Sequence, residues 1–419
     1  MAGLSICTGP PLIQRSTDVS CSYFTGTRKP LIFGSVFSAM LIACGGGGGD
    51  AQGPQGDSAV GISPGPTSSG TTSDIYVATT GSDSNPGTQV APLRTIVKAS
   101  SIAGPGTIIH VASGTYEGSF RTSASGNAAA RIRYIADIPL SARIVPPENS
   151  AERSAWINEG DYVDIEGFEI DGTSARNGLP WTTGIYVPSS FTAVKNNHVH
   201  NIATDPALCT NNGGAAVVTD HFYFGVNDDV SGNVIDHVGS ASCEFIHGVY
   251  IGTSGTVENN LVYQIGYAGI HLWHDAAGVT IANNTVFASA YGILVGGGDF
   301  YHTSGPADDI HVSNNIVVDN IFGIKETGAT GTRNTYTNNL LYMNSGVDWQ
   351  LQNDLSHSGD VTADPQFVNY SQDGGGDYHL APGSPAIDKG TPKFSPSTDL
   401  DGTPRPQGAA VDIGAFEYK

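Results

Sequence analysis

Three short segments, Gly248-Val249-Tyr250-Ile251, Gly269-Ile270-His271-Leu272 and Gly323-Ile324-Lys325-Glu326, each carry a proton-transferring side chain two places after a glycine. If each segment is a strand, its period of two turns Val249, Ile270 and Ile324 to one face and Tyr250, His271 and Lys325 to the other. Gly184-Ile185-Tyr186-Val187, Gly292-Ile293-Leu294-Val295 and Gly346-Val347-Asp348-Trp349 fit the same frame. The expected inward column is therefore Ile185, Val249, Ile270, Ile293, Ile324 and Val347. The outward column is Tyr186, Tyr250, His271, Leu294, Lys325 and Asp348, with His247, Trp273 and His274 beside it. Such a row suits a sugar polymer, because aromatic faces stack on sugar rings while His and Lys move protons.

Cleavage of an acidic glycan by β-elimination needs three groups. A base takes the proton α to the uronate carboxylate, a cation neutralises that carboxylate, and an acid protonates the leaving oxygen. Lys325 is the candidate base, its pKa lowered by desolvation or a cationic neighbour. Arg333 or a bound calcium would neutralise the carboxylate, and Tyr250 or His271 would serve the leaving group. Tyr186, His247, Trp273 and His274 would hold the substrate. The insertion Gly296 to Asp309 offers a different chemistry. Its Asp299, His302, Asp308 and Asp309 could bind calcium, or supply a carboxylate pair for glycoside hydrolysis. A glycan-binding protein or adhesin on the same scaffold is a third class. The sequence holds no nucleotide loop, nucleophile elbow or zinc motif.

The elements that must position this row are announced by a repeat, apolar-x-Asn-Asn-x-apolar. It occurs at Val194 to Val199, Val257 to Val262, Ile281 to Val286, Val312 to Val317 and Tyr336 to Leu341. Val230 to Ile235 fits with Gly232 in the first Asn place, and Ile165-Glu166-Gly167-Phe168 is a degenerate predecessor. Second Asn positions are 36, 27, 24, 31 and 24 residues apart, the length of one coil of a parallel β-helix with variable loops. Asn can adopt αL and can hydrogen-bond along a stack, so a repeated Asn turn builds a ladder down the axis. The fold expected is all-β, a right-handed parallel β-helix over 74–363. Leu93, Ile96 and Val97 in Pro92 to Ala99 have the spacing of a short helix over the first coil, before Thr107 to Val111 begins the strands. The segment 364–419 loses the repeat, gains Pro and Gly, and reads as a loop-rich cap at the other end.

Ahead of these coils, Arg28 and Lys29 precede an apolar run, Leu31 to Ala43, too short to span a membrane. The run closes with Leu41-Ile42-Ala43-Cys44, which resembles the lipobox of bacterial lipoproteins. The resemblance implies a signal peptide over 1–43, lipid on Cys44, and an outer-membrane lipoprotein that is periplasmic or at the cell surface. Residues 44–73, rich in Gly, Ser and Pro, then form a tether. Loss of 1–43 removes Arg15, Arg28 and Lys29 against Asp18, so the net charge of −21 becomes −23. That acidity argues against nucleic acid as a partner and leaves the lipid as the membrane contact. A monomer acting on an extracellular polysaccharide is expected. Of the five cysteines, Cys209 and Cys243 then remain, and an oxidising compartment favours their disulfide.

Both ends of the coil region carry a further likeness. Ile75-Tyr76-Val77, Gly81 to Thr88, Pro92 to Ile96 and Gly114-Thr115-Tyr116 resemble the opening of secreted β-helix proteins, among them the family-nine polysaccharide lyases, which include pectate lyases. Asp364 to Phe367, Gly383 to Gly390 and Asp412 to Tyr418 resemble the terminal segment of such proteins. The resemblance spans 75–418 and implies the β-helix fold and carbohydrate chemistry. That family pairs a Lys base with a cluster of calcium-binding Asp residues. No such cluster adjoins Lys325; the nearest acidic group, Asn227-Asp228-Asp229, lies several coils upstream.

Overall fold

The two asparagines of each repeat divide the work. The first takes a positive φ of 54° to 57° at Asn196, Asn259, Asn283, Asn314 and Asn338, and Gly232 takes 65° in the remaining copy. A single residue there bends the chain sharply from one sheet to the next, a conformation Asn and Gly tolerate best. The second asparagine is buried and builds the ladder. Its Oδ1 accepts from the backbone N–H of the corresponding residue one coil earlier: Asn197 N–H to Asn233 at 3.0 Å, Asn233 to Asn260 at 2.9 Å, and Asn260 to Asn284 at 2.9 Å. Asn284 to Asn315 and Asn315 to Asn339 continue it, Phe168 N–H begins it on Asn197, and Asp360 receives the last bond from Asn339.

A computed structural model describes residues 73–173, 177–211, 213–241 and 243–419. The leader 1–43, Cys44 and the tether up to residue 72 lie outside the described residues. The chain forms a right-handed parallel β-helix of three sheets with 11, 9 and 9 strands. One coil runs Ala193–Lys195 in the first sheet, His198–Ile202 in the third and Gly214–Asp220 in the second, then returns to the first at Asp228–Ser231. Parallel register stacks like on like. Val194, Val230, Val257, Ile281 and Val312 form one interior column, each fully buried. Ile185, Val249, Ile270, Ile293 and Ile324 form another, as expected. Cys209 and Cys243 are joined in a disulfide.

Four expectations need correction. Val347 does not face inward; it is 44% exposed, and Trp349 takes the place beside Ile324. Lys325 therefore pairs with Gln350, and Asp348 leaves the outward column. The strands begin with Asp74–Val77, which pairs with Ile108–Val111. The helix is Ile96–Ile102, later than its apolar spacing implied. The Thr95 hydroxyl caps it by accepting from Lys98 N–H, while the Asp83 carboxylate holds the amides of Arg94 and Thr95 in extended chain.

The C-terminal segment lies along the side of four coils. Here the outward residues of the third sheet are apolar, including Leu261, Tyr263, Phe287, Ile316 and Leu340, and they pack against Tyr378, Leu380, Ile413 and Phe416. The first asparagines fasten it. Asn259, Asn283, Asn314 and Asn338 donate to the carbonyls of Thr398, Asp412, Thr391 and Lys389. Uncovered, this face would be a large apolar patch.

Asn260 satisfies Asn233 N–H, the Asn233 side-chain amide and the Val230 carbonyl at once. Truncation removes these partners from buried groups of the preceding coil. Asn260→Ala is expected to lower the unfolding free energy by about 2–4 kcal/mol in a denaturant titration; an unchanged midpoint would contradict the ladder's role.

Candidate active site

The outward row is real; it gains Val218 and loses Asp348. Tyr186, Val218, Tyr250, His271, Leu294 and Lys325 follow one another in register across the second sheet. Val218 belongs to the strand Gly214–Asp220, whose coil lacks the glycine-led tetrapeptide. One such strand had to exist, because Asn197 and Asn233 are a full coil apart. The first five members line a cleft of about 850 Å³, together with His247, Trp273, His274 and Asp299.

The long insertion forms one wall. His274 stacks on Tyr301 with ring centroids 4.0 Å apart and donates Nδ1–H to the Asp299 carbonyl at 2.9 Å. Trp273 Nε1–H donates to the Asp299 carboxylate at 3.3 Å. Its indole lies against Gly296, Gly298 and Gly328, where any Cβ would collide with the ring, so this glycine run has a packing reason. Buried Asp275 anchors the wall by accepting the amides of Tyr301 and His302 and the Thr303 hydroxyl, and it faces His221 Nδ1 at 3.1 Å. Burial alone would raise its pKa; those donors outweigh burial and hold it below the usual carboxylate range.

On the floor, His271 and His247 form a buried pair, with Nδ1 of His271 3.2 Å from Nε2 of His247. Among the described residues, neither His271 Nε2 nor His247 Nδ1 has a hydrogen-bond partner, and both atoms are buried. Burial, with the charge of His274, pushes the His271 pKa down to about 3, and burial beside His271 drives His247 well below its ordinary value. Both rings are therefore neutral at pH 7. If His271 Nδ1–H donates to His247, its Nε2 lone pair is the free one. The Tyr250 ring meets His271 edge-on at 5.3 Å, and burial raises its phenol pKa. Tyr186 donates to Asp220 at 3.3 Å, whose carboxyl is raised by burial.

Five residues singled out in the sequence for catalysis or metal binding, Lys325, Arg333, His302, Asp308 and Asp309, are absent from this lining, and His302 Nε2 meets the Phe222 carbonyl at 3.1 Å instead. Lys325 sits one strand beyond Leu294, its ammonium 5.4 and 5.3 Å from the Tyr291 and Phe322 ring centroids. Arg333 pairs with Asp308 of the coil before at 3.2 Å. Asp309 lies 3.5 Å from His311. Asp299, Asp308 and Asp309 thus have separate partners and do not converge as one ligand set. Conversely, the cleft gains Arg153, Asp220, Glu244, Tyr267 and Tyr301. Arg153 precedes a strand without the repeat's signature, and its carbonyl accepts the amides of Thr182 and Thr183 from the next coil.

Comparison with known proteins agrees with this architecture. Residues 75–354 match the family described as the Pel9A-like, right-handed β-helix region. The uncharacterized protein YwoF of Bacillus subtilis (strain 168) is 28% identical over 307 residues, 65% of this chain and 62% of YwoF. The chain thus spans less than two thirds of that relative's length. Among solved structures, pectate lyase Pel9A superposes with a TM-score of 0.55 at 17% identity, over 83% of this chain and 97% of that one. A rhamnogalacturonan lyase gives 0.46 at 17% identity, over 72% and 91%. At such identity the likeness to Pel9A is one of fold.

The buried histidines also make stability depend on pH. Unfolded His271 takes up a proton near pH 6.5, whereas folded His271 resists protonation until about 3. Below pH 6.5 the unfolded chain binds more protons, so stability falls with falling pH. From pH 7.5 to pH 5, His271 should account for a loss of about 2 kcal/mol. Denaturant titrations at both values should find that His271→Gln loses correspondingly less; an equal loss would contradict the dry environment of this ring.

Proposed function

The chain belongs to the family of Pel9A-like right-handed β-helix proteins, and on that premise we propose that its cleft binds an acidic, uronate-containing polysaccharide and cleaves it by β-elimination. The observation that carries this reading is His271, paired with His247 and set against Tyr250 in a cleft walled by aromatic residues. His271 Nε2 takes the proton from the carbon α to the uronate carboxylate. The electron pair forms the new carbon–carbon double bond as the bond to the glycosidic oxygen breaks, and the Tyr250 hydroxyl protonates that oxygen. Arg153 lies four strands along the same sheet from His271 and would hold the carboxylate of a sugar unit further along the polymer. The carboxylate of an anionic substrate set beside the ring would make His271 accept its proton more readily. Tyr186, Trp273, His274 and Tyr301 give the sugar rings their contact faces.

Asp220 favours a second reading, glycoside hydrolysis. Burial raises its carboxyl, as a general acid requires, and Glu244 and Asp299 line the same cleft. The leader sequence supports a further proposal, that lipid on Cys44 holds the protein at the outer membrane.

The enzyme readings separate in one assay. Pectate, alginate and glycosaminoglycans are incubated with the protein, with and without calcium, while ultraviolet absorbance and reducing ends are followed. Elimination raises absorbance; hydrolysis releases reducing ends without it; a binder does neither. His271→Ala and Tyr250→Phe should each lower turnover by about 100-fold or more, and Arg153→Ala should weaken it on uronate polymers. Lys325→Ala should stay within a few-fold of wild type. Loss of turnover in Lys325→Ala with retention in His271→Ala would overturn the assignment.

A further inference from the structure

On the third sheet, a face distinct from the cleft, the β-helix gathers a second set of titratable side chains. His198 and His200 lie two apart on the strand His198–Ile202, so both point outward while Val199 between them is fully buried. In register, Glu169 and Asp171 stand beside them on one neighbouring strand, and Asp236 stands beside His200 on the other. The two imidazoles stack with centroids 4.2 Å apart. His198 Nε2 reaches diagonally to Asp236 Oδ2 at 2.6 Å, and His200 Nε2 reaches the opposite way to Glu169 at 3.3 Å. One donor atom from each of His198, His200 and Asp236 falls within 4.8 Å of the other two.

We propose that His198, His200 and Asp236 form a binding site for a divalent transition-metal ion of the zinc type. Two imidazoles and one carboxylate are the donor set such ions prefer, whereas calcium takes a larger shell of oxygens. The site is half-open, with side-chain exposures of 29%, 14% and 6%, which leaves a coordination position for water or Glu169. Asp236 is steadied from outside the donor set. His237 contacts its Oδ1, and the Tyr263 hydroxyl donates to its Oδ2 at 3.2 Å. Arg143 already pairs with Asp171 and lies 3.4 Å from Glu169, so part of the surrounding negative charge is spoken for and the ion is not drawn to acidity alone. The ligands come from two consecutive coils, and a bound ion would tie them together beside the C-terminal segment. The histidines form a His-x-His pair in sequence, but their carboxylate partner is 36 residues or more away and meets them only through the register.

The test is a titration of the chelator-stripped, full-length protein with Zn²⁺ by calorimetry, and with Co²⁺ by visible absorption. Wild type should bind one equivalent more tightly than the His198→Ala/His200→Ala double variant, by about 100-fold, with a Co²⁺ band the variant lacks. His271→Gln should retain that equivalent, which separates this site from the cleft, and excess Ca²⁺ should not displace it. Absence of saturable Zn²⁺ binding in wild type would overturn the proposal, as would unchanged binding in the double variant. Should that variant fail to fold, the more exposed single change His198→Gln provides the comparison, with binding weakened at least about tenfold expected.

Discussion

A parallel β-helix must turn its chain three times per coil, and each turn leaves backbone groups facing an interior without water. The asparagine ladder is the constraint on which the rest depends. Each buried side chain takes the amide of the coil before it and donates to a carbonyl and to the next asparagine. Buried polar groups are costly unless bonded, so the ladder makes one register far better than its neighbours. A slip by one residue would invert every strand on all three sheets.

From that register follows the row of outward side chains. Strands about 4.8 Å apart present equivalent positions at a fixed spacing, comparable with the stacking of rings on rings. The cleft is such a row plus a wall, and the buried carboxylate of Asp275 anchors that wall beside the contacts of Trp273 and His274 with Asp299. Rigid floor and anchored loop together keep His271 and His247 dry. Dryness sets their neutrality, on which the proposed proton transfer rests. The same register, on another face, brings His198, His200 and Asp236 together.

Much of this was legible in the residues. The repeated hexamers carried the fold, and the glycine-led segments placed Tyr186, Tyr250 and His271 in one column. Signals failed where the repeat was silent. Arg153 and Asp220 belong to coils without the glycine frame, and the strand bearing Val218 was missed for that reason. Lys325 was drawn in by its column alone, but a cleft closes where a wall ends, and no periodicity marks that point. Loss of the repeat in 364–419 marks a covering segment but does not say whether it covers an end or a side. Apolar residues on both faces of Leu261-Val262-Tyr263 were the clue that a side needed covering.

The central claim is elimination within this cleft, and the mass of the fragments tests it most directly. Digestion of a defined uronate oligosaccharide by the purified protein should release one fragment lighter by one water molecule than its hydrolytic counterpart, and His271→Ala should release almost none. Fragments of full hydrolytic mass, or light fragments undiminished in His271→Ala, would contradict the account.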